Sequence, residues 1–221
     1  ESNVLALHSS SHIITSATEH SSILNAINKA DYITPVTNEG FVNITILKKQ
    51  MAKNSLVSII HGNNEIGTIN DIETIGKLCK QKGALFHVDA CQSFLKVPID
   101  VNKMHIDLLT LNSHKIHGPK GIAVLFVRDG ISLNPLFRGS QEHSLRAGTQ
   151  NVPGIVGFAE AVKLWKISDN EKMEKLRDML IKGLLSIPDS HLNGSKTKRL
   201  CNNVNISFKS LQGETIVKHL A

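Results

Sequence analysis

The sequence predicts an α/β protein built on a mainly parallel sheet. Two observations carry that reading. Short apolar runs rich in Val and Ile, bounded by turn residues, alternate with stretches of helical periodicity. Three of those runs end in polar clusters: His61-Gly62-Asn63-Asn64-Glu65, Asp89-Ala90-Cys91-Gln92 and Asn112-Ser113-His114-Lys115. Ligands of open α/β sheets bind at the carboxyl ends of the strands, so an acid, an amide and a lysine are expected on one rim.

Taken in order, residues 13–17 read as a strand, and residues 56–61 as a buried one. Residues 72–81 carry a helical pattern, with Asp71 as N-cap and Gly83 just past the end. Residues 84–88, 107–111 and 121–127 read as further strands. The first leads into Asp89 and the second into Ser113-His114-Lys115. From Val152 to about Ile187 the pattern is helical, read as two helices broken near Ser168-Asp169-Asn170. Residues 203–208 read as a strand and residues 213–220 as a helix. This change of texture predicts a large domain over 1–165 and the start of a small α+β domain over 166–221, with the boundary inside the long helical stretch. No internal repeat or low-complexity segment is visible. The chain opens on Glu1 rather than Met and closes at Ala221 inside a helical pattern, so it reads as a fragment lacking both ends.

The composition narrows the class. Of 221 residues, 41% are hydrophobic and 20% charged, enough for a packed core. The net charge is +6, but the basic residues are dispersed and aromatics are only 4%, too few for a base-stacking platform. A protein that handles anionic ligands is expected, not a nucleic-acid binder. Cys79, Cys91 and Cys201 form neither a disulfide framework nor a CxxC pair, which points to a reducing compartment. The Asn-x-Ser/Thr triplets at Asn43, Asn193 and Asn205 read as chance. No apolar run is long enough to span a membrane.

Lys115 follows an apolar strand and precedes Ile116-His117-Gly118-Pro119-Lys120-Gly121. It is either a plain surface residue or a partly desolvated, nucleophilic amine of the Schiff-base kind. The Gly-Pro-Lys-Gly run is not a Walker loop. Asp89 is either a satisfied cap or a functional charge; opposite a pyridine ring, it would keep the ring nitrogen protonated. His87, Asp89 and Cys91 alternate along one strand and mimic a metal site, with His114 and His117 nearby. No CxxC or HExxH spacing supports that reading, and no metal is expected.

With these clusters in place, the chain resembles the class V enzymes dependent on pyridoxal 5'-phosphate (PLP), specifically cysteine desulfurases of the NifS/IscS type. The matching segments are Thr18-Glu19-His20, Asn63-Asn64-Glu65-Ile66-Gly67-Thr68, His87-Val88-Asp89-Ala90-Cys91-Gln92-Ser93 and Ser113-His114-Lys115-Ile116-His117-Gly118-Pro119-Lys120-Gly121. Downstream come Gln141-Glu142-His143-Ser144-Leu145-Arg146-Ala147-Gly148-Thr149 and Asn151-Val152-Pro153-Gly154. Each is weak alone; together, in order, they cover essentially the whole chain.

The resemblance implies a PLP-dependent transferase of fold type I. Lys115 matches the lysine that holds the cofactor as a Schiff base and later moves protons. Asp89 matches the partner of the pyridine nitrogen, and Gln92 the donor to the ring's phenolic oxygen. His20 matches the imidazole stacked on the ring, with a part in proton transfer. Asn64 matches an asparagine beside cofactor and substrate, with turn stabilisation as the alternative reading. His114 matches a phosphate ligand, and Thr149 one that reaches the phosphate from the other subunit of a homodimer. Asn112 stands where the family has a serine phosphate ligand. Arg146 lies in the same segment with its role open. Arg138 and Ser140 replace glycines and His143 a common arginine, expected to alter the charge of the Thr149 loop more than to strain it.

Glu1-Ser2-Asn3 resembles the tail of the family's Gly-Ala-Thr-Glu-Ser-Asn motif, so a phosphate-binding threonine is expected just before residue 1. The loop bearing the catalytic cysteine is expected beyond residue 221, and none of the three cysteines stands at its position. The implied activity is PLP-dependent removal of sulfur from L-cysteine, giving L-alanine and an enzyme persulfide for iron–sulfur cluster assembly or thiolation. The implied partners are a second copy of the chain and a sulfur-acceptor or iron–sulfur scaffold protein. The expected location is the cytoplasm, or a mitochondrion or related organelle for a eukaryotic source. The alternatives are a selenocysteine lyase, another class V aminotransferase, or a non-catalytic scaffold of the same fold.

Overall fold

A computed structural model describes residues 1–27 and 32–220. The main sheet contains β1 (Ile13–Ser16), β2 (Tyr32–Thr34), β3 (Leu56–Ile60), β4 (Leu85–Asp89), β5 (Leu108–Asn112) and β6 (Ala123–Val127), in the order β2-β1-β3-β4-β5-β6. The first five of these run parallel; β6 returns antiparallel beside β5. Helices α1 (Ser2–Leu7), α2 (Ser21–Leu24), α3 (Ile44–Gln50) and α4 (Ile72–Lys82) cover the sheet. Beyond it come α5 (Val152–Leu164), α6 (Ile167–Leu184), an antiparallel pair β7 (Ser190–Leu192) and β8 (Ile206–Phe208), and α7 (Gly213–Leu220).

Successive strand residues face opposite sides of a sheet, and that alternation builds two cores here. On one face Ile14, Val57, Ile59, Phe86, Val88 and Leu109 pack against Leu47 of α3 and Ile72, Ile75 and Cys79 of α4. On the other, Ile13, Leu56 and Leu108 pack against Leu5, Ala6 and Leu7 of α1 and Ile23 of α2. Every residue of β3 is buried because both faces are covered. Helix α4 starts where Asp71 accepts the Thr74 N–H and ends at Gly83, whose φ of 68° is left-handed. Gly76 of this helix lies against the Met104 carbonyl, where a Cβ would collide with it.

His87 and Asp89 project to the α1 face of β4. A polar seam crosses the sheet there: Thr15 donates to the Ser58 carbonyl at 2.9 Å, and Ser58 Oγ lies 2.8 Å from His87 Nδ1. His87 Nε2 in turn lies 2.9 Å from Thr110 Oγ1. Burial pushes the His87 imidazole down to about 4, against the pull of Asp89, so the ring is neutral between two hydroxyls. Glu19 is buried beside this seam. Its Oε1 accepts from Ser16 Oγ and the Ile60 N–H, and its Oε2 has no hydrogen-bond partner among the described residues. Burial raises the Glu19 carboxyl to about 8.

The sequence reading places the break in the long helical stretch three residues too late. The chain leaves helical geometry at Trp165 and Lys166, both extended. Ser168, Asp169 and Asn170, which read as breakers, lie in the first turns of α6, where the Asn170 side chain donates to the Leu95 carbonyl at 2.7 Å. The strand expected over 121–127 forms, but antiparallel. Helices α1, α2 and α3 and strands β2 and β7 are absent from that reading.

Glu19 makes stability depend on pH in a defined direction. An unfolded glutamate releases its proton near 4.5 and folded Glu19 near 8, so its contribution is full below about 4.5 and is lost as pH rises through 8. His61 and His87, both lowered to about 4 by burial, act oppositely: their contribution is present above 6.5 and is lost as pH falls through 4. Comparing Glu19→Gln with the parent in urea unfolding isolates the carboxyl. The variant's relative stability should grow from about pH 5 to pH 8 by on the order of 3 kcal/mol. A difference that is flat over that range contradicts a buried neutral Glu19.

Candidate functional site at the carboxyl edge of the sheet

Parallel strands end together, so the segments after β1, β3, β4 and β5 meet on one rim, and antiparallel β6 begins there. A cavity of about 1300 Å³ opens at this rim. His20, Asn64, Asp89, Gln92, Asn112, His114, Lys115 and Thr149 all line it. The structure thus brings the site residues read from the sequence to one cavity, with Thr149, expected to act from the other subunit, lining the cavity of its own chain.

Asp89, the last residue of β4, is 3% exposed and forms the floor. Its Oδ1 accepts the Cys91 N–H at 3.0 Å and its Oδ2 accepts Asn3 Nδ2 at 2.8 Å. The other proton of the Asn3 amide goes to Ser22 Oγ at 2.9 Å. Ser22 Oγ then lies 2.8 Å from His20 Nδ1, which also accepts the Ser22 N–H at 3.1 Å as the N-cap of α2. Directions follow from chemistry. A carboxylate only accepts, so the Asn3 amide nitrogen faces it. Ser22 Oγ accepts from Asn3 and gives its own proton to His20 Nδ1. The neutral His20 ring therefore carries its proton on Nε2. Asn3 and Ser22 are site residues that the sequence reading missed: 86 residues separate Asn3 from Asp89, and no local pattern reports such a contact.

Lys115 sits in a short 3-10 turn, His114–Ile116, directly after β5. Ile116 is buried and anchors the turn, and His117, with φ 66°, closes it. Gly118 lies against the Ser113 side chain, where a Cβ would collide with it. The buried Asn112 Oδ1 and Ser113 Oγ have no hydrogen-bond partner among the described residues. Burial, followed by Lys115 and Lys120, lowers the His114 imidazole and favours its neutral form.

Asn64 keeps its side chain at the cavity because its neighbour shapes the turn. Asn63 Oδ1 accepts the Glu65 and Ile66 N–H groups at 2.9 and 2.8 Å, and its Nδ2 donates to the Thr18 carbonyl at 2.9 Å. The turn-stabilising role considered for Asn64 belongs to Asn63.

Thr149 lies on the outer wall, in a loop tied to the start of the chain by Arg146, whose Nε and Nη2 reach the Glu1 carboxylate at 2.6 and 3.2 Å. That loop is strained, contrary to the sequence expectation. Glu142, His143 and Ser144 have φ of 47°, 54° and 65°, left-handed values that disfavour residues with a Cβ. Cys91 lines the cavity, but burial and then Asp89 push its thiol well above the usual range. Cys79 and Cys201 are buried and also raised, chiefly by burial. None of the three has the character of a thiolate nucleophile. No group of three or more potential metal ligands occurs among the described residues, and none of their helices is long and apolar enough to cross a membrane.

Comparison with known proteins places this geometry. The chain is 44% identical over 218 residues to the cysteine desulfurase IscS of Methanosarcina thermophila, a match covering 93% of this chain and 54% of that protein. The chain thus spans about half the length of the curated relatives it matches. A NifS-like protein from Rickettsia africae superposes with a TM-score of 0.90 at 34% identity, over 96% of this chain and 62% of the other. The structure of SspA in complex with cysteine superposes with a TM-score of 0.83 at 34% identity, over 99% and 66%. The family model described as aminotransferase class-V matches residues 2–221, and the chain belongs to that family.

Proposed function

We propose that this chain supplies the cofactor-binding half of a cysteine desulfurase. The carrying observation is the convergence of eight residues from separate segments on one cavity, with a buried carboxylate at its floor and a lysine on its rim. The donor set suits PLP. Asp89 retains lone pairs beside those that accept Asn3 and Cys91, and it can face a ring nitrogen. Lys115 offers the amine that would hold the cofactor. Asn112 and His114 offer neutral donors to a phosphate, and Thr149 of a second copy would add another. When bound, PLP supplies an electron sink for negative charge at the substrate Cα.

The chain's own groups then have distinct tasks. Lys115 Nζ would hold the cofactor and afterwards move the substrate proton. Asp89 would favour the charged form of the ring nitrogen. Gln92 would donate to the phenolic oxygen. His20, with its proton on Nε2, would lie against the ring, and Asn64 would lie beside cofactor and substrate. In the sulfur step a cysteine thiolate outside these residues would form an S–S bond to the substrate sulfur as the C–S bond breaks; the C–S electron pair would stay with the substrate carbon, which takes up a proton, so that L-alanine leaves and a persulfide remains. Raised thiols at Cys79, Cys91 and Cys201 support placing that cysteine elsewhere. The names of the relatives support cysteine as substrate. The same reading includes a homodimer to which Thr149 contributes across the interface, a sulfur-acceptor or iron–sulfur scaffold protein as partner, a cytoplasmic location, and a domain division at 165/166.

The test joins the chain to the further segments its curated relatives carry and measures alanine formed from L-cysteine with PLP. Turnover is expected, and Lys115→Ala should abolish it. PLP bound without alanine formation contradicts the desulfurase reading. A second test addresses the floor. Asn3→Leu keeps the shape but removes the donor to Asp89 and Ser22, and should weaken PLP binding in an absorbance titration by roughly tenfold, about 1.4 kcal/mol. Unchanged affinity means that Asn3 does not orient Asp89.

A further inference from the structure

Lys96 is not among the residues assigned to the cavity, yet its ammonium touches the two turns that carry Gln92 and Lys115. Nζ donates to the main-chain carbonyl of Gln92 at 3.1 Å and to that of Lys115 at 3.0 Å. These carbonyls belong to segments that follow different strands, β4 and β5. Nζ also lies 5.3 Å from the centre of the Trp165 ring, over which it sits. Trp165 stacks on His117, with 6.0 Å between ring centres and 18° between planes. The cation thus has two carbonyl oxygens and an aromatic face as partners, a set suited to a charge withdrawn from water. Burial lowers its affinity for the proton; Cys201 opposes that effect and the Lys115 charge adds to it.

The backbone is bent to place it. Leu95, immediately before, has φ 60°, a left-handed value that costs a residue with a Cβ. The Leu95 carbonyl is tied to α6 by Asn170. Trp165 stands at the joint between α5 and α6. A surface lysine needs none of this.

We propose that Lys96 is a positioning residue for the cofactor site: its ammonium clamps the Gln92 turn to the Lys115 turn, and the Trp165 ring keeps it there. The clamp fixes where the Lys115 amine stands relative to the Gln92 amide, and both groups face the same ligand. Its consequence for catalysis rests on the PLP reading; its geometry does not.

Two readouts on the same variants keep these apart. Hydrogen exchange of the protein without PLP reports the clamp, and absorbance titration with PLP reports its consequence. The variants are Lys96→Met, Lys96→Arg and, as a control for lost charge, Lys48→Met on the exposed face of α3. K96M should speed exchange over residues 92–97 and 114–118 while leaving β3 and α4 unchanged. It should weaken PLP binding by roughly tenfold, the scale of one lost charge-assisted hydrogen bond. K96R, which can still reach carbonyls and stack on an indole, should recover most of both effects, and K48M should show neither. Exchange and affinity equal to the parent in K96M overturn the proposal. So does a uniform rise in exchange with no recovery in K96R, which marks a residue needed only for folding. Local loosening in K96M of a parent that takes up no PLP upholds the clamp and removes the function assigned to the cavity.

Discussion

A carboxylate buried at the end of a central strand is the constraint on which the site depends. Asp89 cannot stay charged at 3% exposure without donors. One is local, the Cys91 N–H; the other comes from Asn3, at the far end of the described chain order. That side-chain contact ties α1 to the end of β4. Because the Asn3 amide has a second proton, it also sets Ser22, and through Ser22 the tautomer of His20. Two groups assigned different tasks are therefore held by one amide. The hydrophobic contacts of Leu5, Ala6 and Leu7 provide the driving force that brings α1 to the sheet, and the amide provides its register.

The second contribution comes from topology. Parallel pairing of β1, β3, β4 and β5 aligns their ends, so His20, Asn64, Asp89, Gln92 and Lys115 need no long loops to meet. The chain then turns sharply through the Lys115 segment and returns as β6, which leaves the lysine at the apex of a short, anchored turn. Short turns on rigid strands hold side chains more tightly than long loops do. The long loop that carries Thr149 is tied down by the Arg146–Glu1 pair rather than by sheet pairing, and its strained backbone is a cost that this ion pair offsets.

How much of this was legible in the sequence varies with the range of the interaction involved. Strands β3 and β4 and helix α4 were readable because burial on both faces leaves continuous apolar runs, and because Asp71 and Gly83 are local cap signals. Helix α3 was not: Ile44-Thr45-Ile46 is β-branched and reads against a helix, yet the Asn43 cap and burial of Leu47 override that preference. Strand β2 is a three-residue edge strand without a pattern of its own. The helix break was misplaced because Ser168-Asp169-Asn170 reads as a breaker, whereas these residues lie in the first turns of α6 and the Asn170 amide is spent on Leu95. The cavity residues were legible as ordered motifs. Asn3, Ser22 and Lys96 were not, since their tasks depend on contacts between separate segments, which leave no spacing to read.

The most direct test of the central claim is reduction of the PLP-treated protein with borohydride, followed by peptide mapping. An absorbance band of a Schiff base, with the reduced label on Lys115 alone among the lysines, is the result this account requires. A folded protein that shows no band, or that carries its label on other lysines, would contradict it.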